Sequence, residues 1–402
     1  MLRISLAALA GLTWCVSAHA QTIPPRGTAG TIDVAAWNVE HFGGSSGPTD
    51  DALQIQNVQE VLRDADIDLW ALEEVKVGTQ GFDAFLAGLA DQGLDGRLGP
   101  SVSNSPLFDQ RLAFVYDPAV VELIYVRTVP ESALSPSNFG GRQPFEMKAR
   151  LSLPGTEPFT VYFIALHAKC CTDSDSYDQR EAGAMQLKAY TDMLVAQGID
   201  VVVLGDYNDR LNQSITPGRL SPYRPFYLES ETYRFATAGL DQTNTPTFCS
   251  NSTCSSGSPI DHLMFSSGLF DRYVDGSGDR YIELTSAVPG YTSTTSDHLP
   301  VLAQFAAVPV AAETVPAATF DLRVAPSPFG ASTTVHLALP EAARLQVELY
   351  DALGRRVRAW DEGARAAGAH RVRVSGEGLA PGVYTLRLVA GDRQATRRLV
   401  RR

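Results

Sequence analysis

VVVLGDYNDRLNQS, spanning Val201–Ser214, runs four aliphatic residues into Gly205 and then delivers Asp206, Asn208 and Asp209. The aliphatic run reads as a strand. A strand that ends by presenting acid and amide side chains at one edge raises the question of what those oxygens hold. Taken singly, an Asp after a strand is a turn former and an Asn a helix cap. The chain repeats the pattern, however. TIDVAAWNVE ends on Asn38 and Glu40, two apart and so on one face of an extended chain. IDLWALEEV closes with Glu73 and Glu74, which period 2 sends to opposite faces, and IALHAK closes with His167. SPIDHLMF sets Asp261 beside His262, and TTSDHLP sets Asp297 beside His298. Stability alone rarely asks for so many acids on one rim.

Phosphoester cleavage joins these groups. A phosphodiester repels hydroxide, and its transition state spreads further charge over the non-bridging oxygens. Mg²⁺ or Mn²⁺, held by carboxylate and amide oxygens, offsets that charge. A positioned carboxylate orients or deprotonates the attacking water. Amide N–H and imidazolium donors hold the phosphoryl oxygens as charge develops. An oxygen-rich set with scattered histidines suits Mg²⁺, Mn²⁺ or Ca²⁺ rather than a thiol-based zinc site. His262 points away from Asp261 by period 2 and reads as structural, as do His41, His336 and His370.

The chain has 402 residues, 44% of them hydrophobic, enough for one large domain and a smaller one. Residues 1–20, MLRISLAALAGLTWCVSAHA, have a basic start at Arg3, a short apolar run and the small-residue pattern Ala18-His19-Ala20, and read as a signal peptide. Nothing later supplies the ~20 consecutive apolar residues of a membrane-spanning helix. Beyond Cys15 remain Cys170, Cys171, Cys249 and Cys254, an even set suited to an oxidising compartment. Cys249 and Cys254 bracket SNST and can close a small ring; the spacing leaves open whether Cys170 and Cys171 pair with each other. From Asp321 to Arg402, 14 Arg face 8 acids, a net of +6, so the rest of the chain carries 19 basic and 37 acidic residues, a net of −18. Such an acidic body attracts no polyanion by its bulk field; a phosphate ligand requires metal ions and local cations.

Along the chain, DALQIQNVQEVLRDA reads as a helix with Leu53, Ile55, Val58 and Leu62 on one side and Asp50 as its cap, so the opening is β-α-β. RLAFVYD, PFTVYFIALHA, a helix around EAGAMQLKAYTDMLVAQG, VVVLGDYN, IDHLMF and LPVLAQF follow. Two packed sheets flanked by helices, a mixed α/β architecture, are expected over residues 21–305. AAVPVAAETVPAAT, residues 306–319, reads as a linker, and the strand-like segments of residues 320–402 as a small all-β sandwich.

The ordered set WNVE, LWALEEV, RLAFVYD, IALHAK, GDYND, SPIDHLMF and SDHLPV closely resembles the endonuclease/exonuclease/phosphatase superfamily over about Thr31–Phe305. That family includes pancreatic-type deoxyribonuclease, exonuclease III-type abasic-site endonucleases, inositol polyphosphate phosphatases and bacterial sphingomyelinases. The resemblance implies a four-layer α-β-β-α sandwich with its site at the strand ends. It implies that Glu74 is the principal metal ligand, with Asn38, Glu40 and Asp297 beside it. Asp206 then orients or activates water, Asn208 steadies the phosphate, His298 contacts the scissile phosphate, and Asp261 orients His298. His167 matches a second histidine, the proton donor to the leaving oxygen in the deoxyribonuclease-like branch. The glutamate that partners it there is replaced by Gln110. Arg111, Lys169 and Arg180 are expected at the substrate, and Arg142, in a segment resembling the family's Arg-x-Pro, is expected to support the site or the substrate. Tyr207 stands for the usual phenylalanine of GD-F-N and faces away from Asp206 and Asn208.

APSPFGASTTVHLALP, LYDALGRRV, LAPGVYTLRLVAGD and TRRLVRR resemble the type A sorting domain of type IX secretion. The resemblance implies passage through the periplasm and export across an outer membrane, with possible removal of the domain. A carbohydrate-binding sandwich and a basic phosphate-attracting appendage are the rival readings. A secreted, monomeric, Mg²⁺- or Mn²⁺-dependent nuclease acting on DNA or RNA is expected. A phosphomonoesterase or sphingomyelinase-like lipid phosphodiesterase is the alternative, followed by an inactive surface-binding scaffold.

Overall fold

The computed structural model describes residues 22–44, 46–103, 109–309, 322–391 and 393–402. The expected signal peptide, 1–20, and residues 310–319 of the expected linker lie outside them. The chain divides into two compact units, Met1–Pro309 and Val310–Arg402.

In the first unit, β1 (Thr31–Phe42), α1 (Asp51–Asp64), β2 (Leu69–Val75), α2 (Thr79–Ala87), β3 (Asp95–Leu98) and β4 (Arg111–Tyr116) open the chain. Then come β5 (Val121–Thr128), β6 (Phe145–Leu151), β7 (Phe159–His167), α3 (Ser174–Ala196), β8 (Asp200–Asp206) and β9 (Tyr233–Phe235). The short hairpin β10 (Phe248–Cys249) and β11 (Gly257–Ser258) leads to β12 (Asp261–Ser266), β13 (Asp279–Arg280) and β14 (Val301–Ala306). Two six-stranded sheets result, ordered β13-β14-β1-β2-β4-β3 and β5-β6-β7-β8-β12-β9.

Alternation along the strands builds the layers. Ile32, Val34, Ala36, Leu69, Ala71 and Phe114 of the first sheet pack on Val161, Phe163, Val202, Leu204, Leu263 and Phe265 of the second. The opposite residues, Ala35, Trp37, Trp70 and Leu72, meet Val58, Val61 and Leu62 of α1 and Phe82 and Phe85 of α2. Val201 and Val203 meet Ala184, Leu187 and Leu194 of α3. This is the four-layer α-β-β-α sandwich.

Asp50 caps α1 as its sequence suggests, its Oδ1 accepting from the Leu53 N–H at 3.0 Å. The buried face differs from the expected apolar stripe. It is Gln54, Asn57, Val58, Val61 and Leu62, while Leu53 and Ile55 are only partly buried. Gln54 Nε2 donates to the carbonyls of Val39, Glu40 and Thr295, and Asn57 Nδ2 to Thr295 Oγ1. Two amides thus dock the helix where apolar periodicity shows nothing, because their partners lie far along the chain.

The second unit is all β. β15 (Leu322–Ala325), β16 (Ser332–Leu339) and β19 (Gly368–Ser375) form one sheet. β17 (Ala343–Tyr350), β18 (Arg356–Arg365), β20 (Gly382–Ala390) and β21 (Arg393–Arg401) form the other. Val335, Leu337, Val347, Leu349, Val372, Leu386 and Leu388 make the core of this sandwich.

Candidate active site

Topology brings the polar strand ends together. β1 with β2 and β7 with β8 are parallel pairs, so four strands deliver their last residues to one rim. β12 runs antiparallel to β8 with Asp261 opposite Asp206, and β14 runs antiparallel to β1. These two strands bring Asp261, and Asp297 and His298 just before β14, to the same rim. A cavity of about 500 Å³ opens there, lined in part by Glu40, His41, Glu74, Gln110, Arg142, His167, Asp206, Asn208, Phe248, Asp297 and His298.

The strands bend to fill it. Register shifts between Asn38 and Phe42 on β1 and between Leu72 and Val75 on β2. Glu40, His41 and Glu74 there have φ of 42°, 51° and 62°, and Asn208 has 49°. Non-glycine residues rarely adopt this left-handed backbone, and its cost is characteristic of functional sites. The bulges turn Glu40, His41 and Glu74 into one cavity and leave Glu73 buried behind it, both carboxyl oxygens without a hydrogen-bond partner.

At the floor, His298 Nδ1 lies 2.9 Å from both carboxylate oxygens of Asp261. Burial works to lower the His298 pKa, but Asp261, Asp206 and Asp297 together hold it well above the ordinary value. Asp206 Oδ2 accepts from Asn38 Nδ2 at 3.1 Å and from Asn208 Nδ2 at 3.0 Å, and its Oδ1 from the Asn208 N–H at 2.7 Å. Burial first and Asp261 second push Asp206 up to about 7. Glu40 is likewise pushed up to about 7 by burial and by Asp297.

His167 Nε2 stands 3.5 Å from Asp206 Oδ2 and 3.7 Å from Glu74 Oε1. Its Nδ1 is buried without a hydrogen-bond partner among the described residues. Burial, then Arg142, His298 and His41, lower its pKa well below the ordinary value, leaving a neutral imidazole. Gln110 is not its partner: Nε2 of Gln110 lies 3.2 Å from His41 Nδ1, and its Oε1 accepts from Arg142 Nη1 at 2.7 Å.

The four residues expected as metal ligands, Asn38, Glu40, Glu74 and Asp297, lie side by side. Asn38 Nδ2 reaches Glu74 Oε1 at 3.4 Å, the Asn38 Oδ1 accepts from the Glu40 N–H at 3.1 Å, and Glu40 Oε2 accepts from the Asp297 N–H at 2.9 Å. Among the described residues, no lysine or arginine forms an ion pair with Glu40, Glu74, Asp206 or Asp297. Asp206, Asp261 and His298 also offer ligand atoms within 4.8 Å of one another. Asp261 and His298 are engaged with each other, so the open oxygen set around Glu74 is the better seat for a hard cation.

The four cations expected at the site or the substrate fare differently. Arg142 lines the cavity but braces it, donating to the carbonyls of His167 and Ala168. Arg111 pairs with Asp109, Nε to Oδ2 at 2.9 Å, and is absent from the cavity wall, as is Lys169, whose Nζ lies 3.9 Å from Cys170 Sγ. Arg180 is fully buried, with Nε 2.9 Å from Asp209 Oδ2 and further bonds to Thr216 Oγ1 and to the carbonyls of Lys169 and Cys171. It cannot reach a substrate, and Asp209 belongs to this buried pair rather than to the site.

Sequence reasoning set His41 aside, yet it lines the cavity, with its N–H on Glu74 Oε2 at 2.9 Å and Nδ1 3.2 Å from the same oxygen. Its place directly after WNVE was the available signal. Ser296 was also passed over: its Oγ donates to the Asn38 carbonyl at 2.6 Å and accepts from the His298 N–H at 2.9 Å. Cys249 and Cys254 are disulfide-bonded, as their spacing suggested, and Phe248 beside them bridges to His298 through the backbone and lines the cavity. Its ring centroid lies 5.2 Å from that of His298.

A model of the Endonuclease/Exonuclease/phosphatase family matches residues 35–298, and one of the secretion system C-terminal sorting domain matches residues 323–402. The sorting domain indicates export by type IX secretion to the surface or the medium. No curated protein matches the chain. Among solved structures, the catalytic domain of Xenopus laevis APE2 is similar at 18% identity, covering 70% of this chain and 94% of that one, with a TM-score of 0.50. An AP endonuclease from Archaeoglobus fulgidus is similar at 16% identity, covering 68% and 99%, also with a TM-score of 0.50. At such identity these two show the fold. By the family match over residues 35–298, more than half of its length, this chain belongs to the endonuclease/exonuclease/phosphatase family.

Proposed function

We propose that the chain is an exported, divalent-metal-dependent phosphodiesterase that hydrolyses nucleic acid by attack of water on phosphate. One observation carries this reading. A histidine held charged by Asp261 stands beside Asp206 and Asn208, facing an oxygen-rich wall with which no lysine or arginine forms an ion pair among the described residues.

Glu74, Asn38, Glu40 and Asp297 would hold Mg²⁺ or Mn²⁺, whose role when bound is to neutralise the phosphate oxygens. The raised pKa values of Glu40, Asp206 and Asp297 fit that assignment: burial raises each first, and neighbouring carboxylates add to it, so a bound cation would relieve both. Asp206 orients the attacking water and draws its proton, its carboxylate aimed by Asn38 and Asn208. His298 donates through Nε2 to a phosphoryl oxygen, with Asp261 on Nδ1 fixing the ring. His167, being neutral, serves the leaving oxygen as a hydrogen-bond donor through Nε2 and not as an imidazolium acid. Phe248 offers an aromatic face for a base next to His298.

A second reading, a small phosphate ester as substrate, is favoured by the wall composition. Among the described lining residues Arg142 is the one arginine or lysine, and it is anchored on the protein's own carbonyls. Plasmid DNA, RNA, an inositol phosphate and sphingomyelin are assayed side by side with Mg²⁺ or Mn²⁺. Plasmid nicking that EDTA stops supports the nuclease; turnover confined to the inositol phosphate replaces it. Hydrolysis that survives Asp206→Ala or His298→Ala refutes the mechanism.

A further inference from the structure

Cys170 and Cys171 lie just beyond Ala168 and Lys169 after the end of β7, line the cavity, and carry free thiols whose Sγ atoms lie 2.7 Å apart. That separation is closer to a bonded pair, about 2.05 Å, than two thiols at rest adopt. The segment carrying them is clamped by two buried arginines. Arg142 donates to the carbonyls of His167 and Ala168, and Arg180 to those of Lys169 and Cys171. Arg180 is itself held by Asp209, so the backbone on both sides of Cys170 has little freedom. Cys171 is kept at φ 90°, a conformation that a residue with a Cβ rarely adopts. Such an outlier persists only where the surroundings over-determine it.

We propose that Cys170 and Cys171 form a redox site, closing in an oxidising compartment to a vicinal disulfide that makes part of the active-cavity wall. The oxidant is a disulfide of the glutathione or dithiol-oxidoreductase class. One cysteine thiolate attacks the donor disulfide, forming a mixed disulfide and releasing one donor thiolate. The second cysteine thiolate then attacks the bonded cysteine sulfur and expels the other donor thiolate. Two protons leave the cysteines and end on the two donor thiols, so the pair is oxidised by two electrons and the donor reduced by two.

Adjacent residues hold their Cα atoms about 3.8 Å apart, below the usual range of about 4.4–6.8 Å for disulfide-bonded pairs. The ring is therefore strained and easily reduced, which separates it from the Cys249–Cys254 bond. The strained backbone at Cys171 is already in place before the bond forms, so oxidation needs only side-chain rotation. Closure removes two S–H donors and stiffens the wall beside Arg142 and Thr172.

The test is a peptide measurement on the full chain. The exported protein is incubated with excess oxidised glutathione, denatured without reductant, alkylated with iodoacetamide and cut with trypsin. Cleavage after Lys169 and Arg180 releases both cysteines in one peptide, CCTDSDSYDQR. The expected product is that peptide two hydrogens lighter and unalkylated. It should convert to the doubly alkylated form at lower dithiothreitol than the single peptide of residues 235–272, which the Cys249–Cys254 bond closes internally. Double alkylation after glutathione treatment, or a cross-link from either cysteine to Cys249, Cys254 or a second chain, overturns the proposal. Neither outcome depends on which phosphoester the cavity takes.

Discussion

Nε2 of His298 stands 4.0 Å from Oδ2 of Asp206, too far for a direct hydrogen bond and near enough for both to reach the same substrate oxygens or water. The opposite ring nitrogen is bound to Asp261, so the gap is held open by a fixed ring. His298→Ala is expected to lower kcat on a phosphodiester by about 10²–10⁴-fold, the usual range for losing such a donor. Asp261→Asn removes the charge that keeps His298 protonated, so its loss should grow as pH rises through neutrality. A pH–rate profile of Asp261→Asn parallel to that of the parent would contradict this pairing.

Removing the divalent cation should stop turnover while leaving the fold intact. Glu74→Gln, at the centre of the oxygen cluster, is expected to raise the Mg²⁺ or Mn²⁺ concentration for half-maximal activity by about 10-fold or more. Titration calorimetry of the variant checks binding apart from catalysis. Unchanged metal affinity would remove Glu74 from the ligand set.

Stability should fall with rising pH when metal is chelated. Asp206 and Glu40 are each pushed up to about 7, chiefly by burial, so the folded chain binds their protons more tightly than the unfolded chain does. Their contribution is fully present below the unfolded carboxylate value of about 4 and is lost as pH climbs to about 7. In EDTA the melting temperature should therefore be lower at about pH 8 than at about pH 5. Asp206→Asn should flatten the slope. A melting temperature that rises across this window would contradict the assignment.

Arg180 separates a structural role from a substrate role. Breaking a fully buried ion pair costs about 3–5 kcal/mol because the abandoned charge has no water. Arg180→Met is expected to lower the unfolding free energy by that order, read by denaturant titration, through the stranded Asp209. An unchanged stability with a raised KM would restore Arg180 to the substrate set.

The Cys249–Cys254 hairpin is tied to the catalytic loop by backbone bonds, Cys249 N–H to the Asp297 carbonyl at 2.7 Å and Leu299 N–H to the Thr247 carbonyl at 2.8 Å. Replacing both cysteines by serine should cost about 2 kcal/mol for so short a ring. It should also lower kcat, because Asp297 and His298 lose their brace. Full activity in the double serine variant at a temperature where it is folded would show that the hairpin is dispensable for the site.

The strand ends, the layer alternation and the order of the polar residues could be read from the chain alone. Each rests on local physics: period 2 in TIDVAAWNV and VVVLGD, the cap at Asp50, and charge at the end of an apolar run. Asn38, Glu40, Glu74, His167, Asp206, Asn208, Asp261, Asp297 and His298 are all polar residues at such ends, while the choice of Glu74 over Glu73 and of His298 over His262 rests on the family resemblance. What only the tertiary structure decided is where the side chains point and what they are spent on. The bulges at Glu40 and Glu74 break the period that sequence reading relies on, bringing His41 into the cavity and sending Glu73 behind it. The long-range partners of Arg142 and Arg180 make these two braces, and those of Gln110 draw it to His41 and Arg142 instead of His167. Hydrogen bonds across 25 or more residues, such as that from Arg142 to the His167 carbonyl, leave no periodic trace, because any polar residue able to reach satisfies the same donor.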